Sequence, residues 1–409
     1  MKTNLKNVVI INDFAFINGG AGKVALTSAK ALAKEGYNVT LFTAMSPIDT
    51  SLERIGVNVV CLNQKDILSN SNRLQAICQG LWNKKAADKF AELLGSLDYK
   101  ETIIHFHGWT KALSASLWKV TALSKFKVTV TLHDYFTFCP NGGLFDYHKL
   151  QICNKKPSSA SCYFCNCDSR SYFQKIWRDV RQLLQWYWLK RNKNISFISI
   201  SEINEKVSKP CLEKISKKWF RLQNPIEINK KAPIDISKNN AYLFVARLSA
   251  EKGVEMFCQA MSELNLNGIV LGDGYLKDIL SKKYPQVQFI GWVTGKEKEK
   301  FVRKGKALVF PSLWYEGAPL TIVEMQSYGL PCIVPNMCAA SEEVIDNETG
   351  FVFDSGNISS LKEAILKFEK CNVNIMQKEI LNNFCAEKYS VQRHIENLIQ
   401  IYQEILSCE

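Results

Sequence analysis

The chain has no run of eighteen apolar residues, so it offers no candidate for a membrane-spanning helix. Its opening residues, Met1-Lys-Thr-Asn-Leu-Lys-Asn7, lead straight into a short strand-like segment rather than the apolar stretch of a secretory leader. No short-period internal repeat is visible. Two phosphate-binding signatures are also missing. Lys23 is followed by Val24 and no glycine lies five before Gly22, so the glycine cluster at 19–22 is not a P-loop. Nor is it G-x-G-x-x-G, which argues against a bound dinucleotide cofactor. No Asp-x-Asp pair sits in a loop suited to a catalytic metal.

Cysteine, by contrast, is plentiful. Fourteen cysteines without a secretion signal point to reduced thiols in a cytoplasm, with metal ligation open to any cluster. Five of them fall between Cys139 and Cys167. Cys162-x-x-Cys165 has the local spacing of zinc thiolate sites, and Cys139 and Cys153 could complete a tetrahedron. A structural zinc in a long loop is therefore one expectation, and a set of free, partly buried thiols is the other.

At 409 residues, with 46% hydrophobic and 22% charged residues, the chain is expected to form two globular domains. The net charge of +13 is unevenly placed. Through Pro225 there are 32 Lys and Arg against 16 Asp and Glu; from Ile226 onward there are 20 against 23. A basic first half favours an anionic partner, whether nucleic acid, a phosphate-bearing small molecule or a membrane surface.

Asn7–Asn12 reads as a buried parallel strand, 13–22 as a glycine-containing loop, and Lys23–Glu35 as a helix packing one face on a sheet. Val39–Thr43 is the next strand, which completes a Rossmann-type start. Further strands are expected at 102–106 and 127–132, followed by His105, His107 and His133-Asp134 at their carboxyl ends. His105 reads as a core-edge residue and His133 as a functional one. Residues 172–193 carry a helical stripe of Phe173, Ile176, Trp177, Val180, Leu184, Tyr187 and Trp188 among basic residues. Such a stripe is more often core than a membrane-facing surface. After a strand at 195–200 and a junction at Arg221–Ile226, strands at 241–246, 268–272, 287–291, 307–310 and 332–335 alternate with helical spacers. That pattern predicts two Rossmann-like α/β domains facing one central cleft, with the last helix crossing back to the first.

The stretch from Pro311 to Gly329 reads as strand end, tight loop and helix start. Ligands bind at such junctions in open parallel sheets, where free N–H groups suit a phosphate. Glu316 and Glu324 suit hydroxyl groups, so a sugar nucleotide matches the pair. A glycosidase is disfavoured, because both carboxylates belong to one loop–helix element rather than opposite sides of a scissile bond.

These residues resemble the retaining GT-B glycosyltransferases of family 4. The resemblance rests on Ala246-Arg247-Leu-Ser-Ala-Glu-Lys252-Gly253, Gly272-Asp273-Gly274, Phe289-Ile-Gly291, Pro311-Ser312…Glu316-x7-Glu324, Gly329-Leu-Pro331 and Glu343…Gly350-Phe-Val. Together they span about residues 241–355. The glycine loop, His133-Asp134 and Ser199-Ile-Ser201-Glu202 fit more loosely. The resemblance implies an acceptor-side domain over 1–224 with a Cys-rich insertion at about 139–167. A C-terminal helix at about 390–409 would complete it, and a donor domain would occupy 225–389. It implies a hexosyltransferase in bacterial surface-polysaccharide synthesis that needs no catalytic metal. Donor would be a UDP- or GDP-sugar, acceptor a glycan or lipid-linked saccharide, and location the cytoplasm or the inner membrane face. Glu316 would contact the donor sugar, Glu324 the ribose, and Arg247 and Lys252 the departing diphosphate. Gly272, Gly317, Ala318, Pro319 and Leu320 would line the donor, Gly19 and Gly20 the diphosphate or acceptor, and His133 the reacting centre. Glu316-Gly-Ala-Pro-Leu departs from the usual Glu-Gly-Phe-Gly-Leu. A sugar-nucleotide epimerase or phosphorylase on the same fold, and a basic zinc-containing nucleic-acid-binding protein, are the alternatives.

Overall fold

In the computed structural model, which describes residues 4–407, strands and helices alternate through both halves of the chain. The first half contributes β1 (Asn7–Ile11), β2 (Asn38–Thr43), β3 (Asn58–Cys61), β4 (Thr102–Phe106), β5 (Lys127–Leu132), β6 (Phe145–Asp146), β7 (Gln151–Ile152), β8 (Ile195–Ser199) and β9 (Lys218–Arg221). Seven of these form a parallel sheet in the order β3-β2-β1-β4-β5-β8-β9, and β6 and β7 make a small antiparallel ribbon. After Asn7, β1 is apolar because both of its faces are covered. Val9 and Ile11 join a cluster with Phe90, Phe106 and Trp118, whereas Val8 and Ile10 join one with Leu26, Ala29 and Leu32.

The second half adds β10 (Ala241–Val245), β11 (Asn267–Leu271), β12 (Gln288–Gly291), β13 (Gly305–Val309), β14 (Cys332–Pro335) and β15 (Gly350–Phe353). They form a parallel sheet in the order β12-β11-β10-β13-β14-β15. The same alternation builds its two faces, with Tyr242 and Phe244 on one and Leu243 and Val245 on the other. Each sheet reverses its strand order once, between β1 and β4 and between β10 and β13. Two Rossmann-like units, each with one such switch point, are the α/β architecture expected from the alternation.

The final helix, Val391–Leu406, lies on the first sheet. Its Ile395, Leu398, Ile401, Tyr402 and Ile405 complete the cluster around Leu26 and Ile10. His105, the expected core-edge residue, is buried between Tyr402 Oη at 2.6 Å and Thr131 Oγ1 at 2.7 Å. The chain passes between the two units at 222–226 and again just before 390. The two passages are tied together by the Ile226 N–H donating to Tyr389 O at 2.9 Å.

Two local expectations change. The first helix begins at Gly19, not Lys23, so Gly19, Gly20 and Gly22 belong to its opening turns. Only part of the stripe on the helix Tyr172–Leu189 is core: Leu184 and Trp188 pack on the first-domain cluster. Phe173 is 84% exposed, and Ile176, Val180, Leu183 and Tyr187 are exposed as well. The fully buried positions are mostly polar: Lys175, Asp179, Arg181, Gln182 and Gln185, with Leu189. The cause lies in the irregular segment 136–141 packed beneath, whose carbonyls have no strand partner and need donors. Gln182 donates to Thr137 O at 3.0 Å, Gln185 to Phe136 O at 2.8 Å and Thr137 O at 2.9 Å, and Arg181 to Pro140 O at 3.3 Å.

Because Tyr402 is the hydroxyl partner of a buried imidazole, its loss leaves a polar atom without water or a partner. Tyr402→Phe is expected to lower stability by about 1–3 kcal/mol in urea unfolding. An unchanged midpoint would show that the His105 contact carries no weight.

Candidate active site

The second domain's switch point is built by backbone segments that approach too closely for side chains. Gly253 has φ +70° and Gly272 φ +151°, and a Cβ on either would overlap a carbonyl, that of Pro311 or of Ala246 respectively. Glycine at these positions lets the loops after β10, β11 and β13 meet at one point. There Lys252 Nζ contacts Glu316 Oε1 at 2.5 Å, with both side chains largely shielded from solvent. Glu316 also accepts from Ser312 Oγ at 3.1 Å and Trp314 Nε1 at 3.4 Å, and the Lys252 ammonium lies 5.2 Å from the Trp314 ring centroid. Arg247 reaches outward, paired with the buried Glu251 at 2.7 Å. Glu324, in the short helix Leu320–Gln326, pairs with Lys298 at 2.6 Å.

These groups line a cleft of about 980 Å³. Of the expected site residues it gathers Arg247, Lys252, Gly272, Glu316, Leu320 and Glu324, with Gly20 contributed by the first domain. Gly19 and Gly20 have nothing near the place a side chain would occupy. Gly317, Ala318 and Pro319 line a narrower space of about 30 Å³ beside Ile200, Ser201 and Tyr389. The amides of Leu320 and Ile322 already donate to Ala318 O and Pro319 O. Pro319 has no N–H, so the helix start is less open to a phosphate than its position suggests.

His133 is not among the groups lining the large cleft. It stacks on His107, with His107 Nδ1 and His133 Nε2 at 2.9 Å. Burial holds the His133 imidazole down to about 3 and His394 down to about 4, and it holds His105 and His107 well below the usual range. All four are therefore neutral at pH 7. The adjacent Asp134 is pushed up to about 6 by the protein crowded around it, although one side of it stays open to water.

Several residues at the site carry no motif that the sequence reading used. Lys298, Trp292 and Trp314 line the cleft. Asp13, directly after β1, accepts the amides of Lys111, Ala112 and Leu113 at 2.9, 2.8 and 2.9 Å and so locks the first domain's switch point. Its position at a strand's carboxyl end was the available signal. The loop after β13 also touches the first domain, where Trp314 packs on Gly143 and Tyr315 stands edge-on to Tyr135. Nearby, the Glu342 carboxylate accepts the Glu202 and Ile203 amides at 2.8 and 2.7 Å, capping a first-domain helix from the second domain.

The zinc expectation is not supported by the arrangement of Cys139, Cys153, Cys162 and Cys165. Among the described residues no three His, Cys, Asp or Glu side chains converge as metal ligands. Cys139 donates to Asn141 Oδ1 at 3.2 Å, and burial pushes its thiol up to about 11; burial raises Cys162 too. Side chains of the helix Tyr172–Leu189 hold the insertion and its end instead. Buried Lys175 binds Asp179 at 2.6 Å and the Cys162 carbonyl at 3.0 Å, and Arg178 binds Asp168 at 3.1 Å.

Two facing Rossmann-like units with a strand-end cleft define the GT-B class of fold. A family model described as Glycosyl transferases group 1 matches residues 226–384, and one described as Glycosyltransferase Family 4 matches residues 18–191. The chain belongs to the family 4 glycosyltransferases. It is 27% identical over 186 residues to the UDP-Gal:alpha-D-GlcNAc-diphosphoundecaprenol alpha-1,3-galactosyltransferase of Escherichia coli, covering 41% of this chain and 47% of that protein. It is 23% identical over 336 residues to an uncharacterized 42.6 kDa protein in the cps region of Klebsiella pneumoniae, covering 78% and 82%. The match spans about half the length of the first curated relatives. A sucrose-phosphate synthase of Thermosynechococcus elongatus shares the fold with a TM-score of 0.70 at 16% identity, over 99% of this chain and 100% of that one.

The neutral histidines set a pH dependence. An unfolded imidazole takes up a proton below about 6.5, while the folded His133 and His394 do so only near 3 and 4. Their folded values are depressed, so stability is full above about pH 6.5 and declines as pH falls towards 4. The melting temperature is expected to drop between pH 7 and pH 5, with less of a drop in His394→Gln. A pH-independent melting temperature across that range contradicts the neutral assignment.

Proposed function

We propose that the protein is a retaining, metal-independent hexosyltransferase. It would move a sugar from a UDP- or GDP-sugar to a glycan or lipid-linked saccharide in bacterial surface-polysaccharide assembly. The observation that carries this reading is the meeting of Lys252, Glu316, Arg247 and Glu324 around one cleft that Gly20 closes from the opposite domain. The E. coli relative, by its name, uses UDP-Gal and a diphosphoundecaprenol-linked acceptor, and the Klebsiella relative lies in a cps region.

In this reading residues 1–224, completed by the C-terminal helix at about 390–409, form the acceptor side, and residues 225–389 the donor side. Departure of a nucleoside diphosphate builds negative charge, which Lys252 and Arg247 neutralise as it forms. Gly19 and Gly20 leave room for the diphosphate at the first helix's start. Glu316, held by Lys252, Ser312 and Trp314, faces the donor sugar. Glu324 exchanges Lys298 for the ribose hydroxyls. His133 acts as a neutral polar group near the reacting centre and carries no proton into the reaction. The basic first domain turns towards anionic lipid at the inner face of the membrane.

A panel of nucleotide sugars screened by thermal shift identifies the donor, since a ligand bound only to the native state raises its apparent stability. Glu316→Gln and Lys252→Ala are each expected to lower turnover by at least about a hundredfold, the scale seen for single charge-stabilising groups. Near-normal rates in both would remove these residues from the site. Conversion of donor without acceptor would make the protein an epimerase instead.

A further inference from the structure

A second cavity, of about 410 Å³, lies in the first domain away from the donor cleft. It runs between the helix Arg73–Leu81 and the helix Tyr172–Leu189. Trp177 bridges the two, donating its indole N–H to Ile77 O at 3.2 Å, and its ring fills the space that the missing side chain of Gly80 leaves open. The groove's upper walls are apolar and open to solvent. Leu74 is 77% exposed, and Leu68, Ile77, Phe173, Ile176 and Val180 continue the surface. An apolar face of this extent marks a binding surface in a soluble chain.

Its lining is also cationic. Arg73, Lys111, Arg170, Arg178 and Arg181 line the cavity, and no carboxylate does. Among the described residues only Arg178 of these five is in an ion pair, with Asp168. Arg181 donates to the Thr110 and Pro140 carbonyls at 3.3 Å and packs against the Phe136 and Trp177 rings. Positive groups and apolar side chains lining one groove fit a ligand that is a hydrocarbon at one end and a phosphate at the other. Lys111 and Arg181 also act electrostatically on Asp134, beside His133, and the Lys111 amide is bound by Asp13 at the first switch point.

We propose that this groove holds the lipid-phosphate portion of the acceptor, its chain along the exposed stripe of the helix Tyr172–Leu189 and its phosphate among Lys111, Arg170 and Arg181. This inference rests on the lipid-linked acceptor reading above. It assigns a role to the exposed residues Phe173, Ile176 and Val180 of this helix, whose Leu184, Trp186 and Trp188 pack instead on the first-domain core.

The test titrates the full-length protein with farnesyl diphosphate, farnesol and inorganic pyrophosphate by calorimetry, beside a nucleotide-sugar thermal shift on the same sample. Farnesyl diphosphate is expected to bind saturably, at least about tenfold tighter than either fragment (about 1.4 kcal/mol). Phe173→Glu and the double variant Lys111→Ala/Arg170→Ala, all at exposed positions, are each expected to weaken it at least about tenfold. A nucleotide-sugar shift without farnesyl diphosphate binding overturns the groove and leaves the transferase reading intact. Absence of both removes both. Unchanged binding by folded Phe173→Glu also overturns it. So does binding to phosphatidylglycerol vesicles that farnesyl diphosphate does not compete with, which would make the face a bilayer contact.

Discussion

The need of an irregular, buried segment for hydrogen-bond donors shapes the first domain more than any hydrophobic pattern does. Residues 136–141 run under the helix Tyr172–Leu189 without a strand neighbour, and each carbonyl there must find a donor inside the protein. Glutamines and an arginine on the helix supply them, so the polar side of the helix turns inward. The same helix brings Lys175 to the Cys162 carbonyl and Arg178 to Asp168, which fasten the cysteine-rich insertion and its end. What is left facing water in the helix's first half is apolar, Phe173, Ile176 and Val180, and with it the groove against the neighbouring helix. One backbone requirement thus sets the anchoring of the insertion and the character of the surface above it.

The donor side follows a different constraint, that of backbone packed on backbone. Three strand-end loops converge where Gly253 and Gly272 leave no room for a Cβ, and this convergence puts Lys252 on Glu316. Ser312 and Trp314 donate to the same carboxylate and fix it further. Trp314 and Tyr315 then carry the loop across to the first domain, so the cleft's geometry depends on contact between the two units.

Much of this was legible in the sequence, and the physical reasons for the gaps are specific. Parallel strands covered on both faces are rich in apolar and β-branched residues, which is why β1, β5, β8 and β10 could be read directly. β3 and β9 lie at the edges of their sheet with partly exposed side chains, and they left no such run. Glu316, Glu324, Arg247 and Lys252 were readable because their motifs are local to strand ends. The helix Tyr172–Leu189 was misread because periodicity shows that a helix has two faces but not which one is buried. That choice was made by residues 136–141, some forty positions away. The cysteines were misleading for a similar reason: spacing along the chain says nothing of whether thiols converge or are each satisfied by a nearby amide, as Cys139 is by Asn141.

The double passage of the chain between its two units has a mechanical consequence. One crossing at Ile226 is hydrogen-bonded to the other at Tyr389, and His394 just beyond binds the Gln223 carbonyl at 2.9 Å. Two strands of chain joined side by side make a strip rather than a string. Twisting one unit relative to the other would shear those bonds, whereas folding about the line of the strip would not. Opening of the cleft is thereby reduced to a single swing, in which the Glu342 carboxylate on the Glu202 helix start acts as the latch.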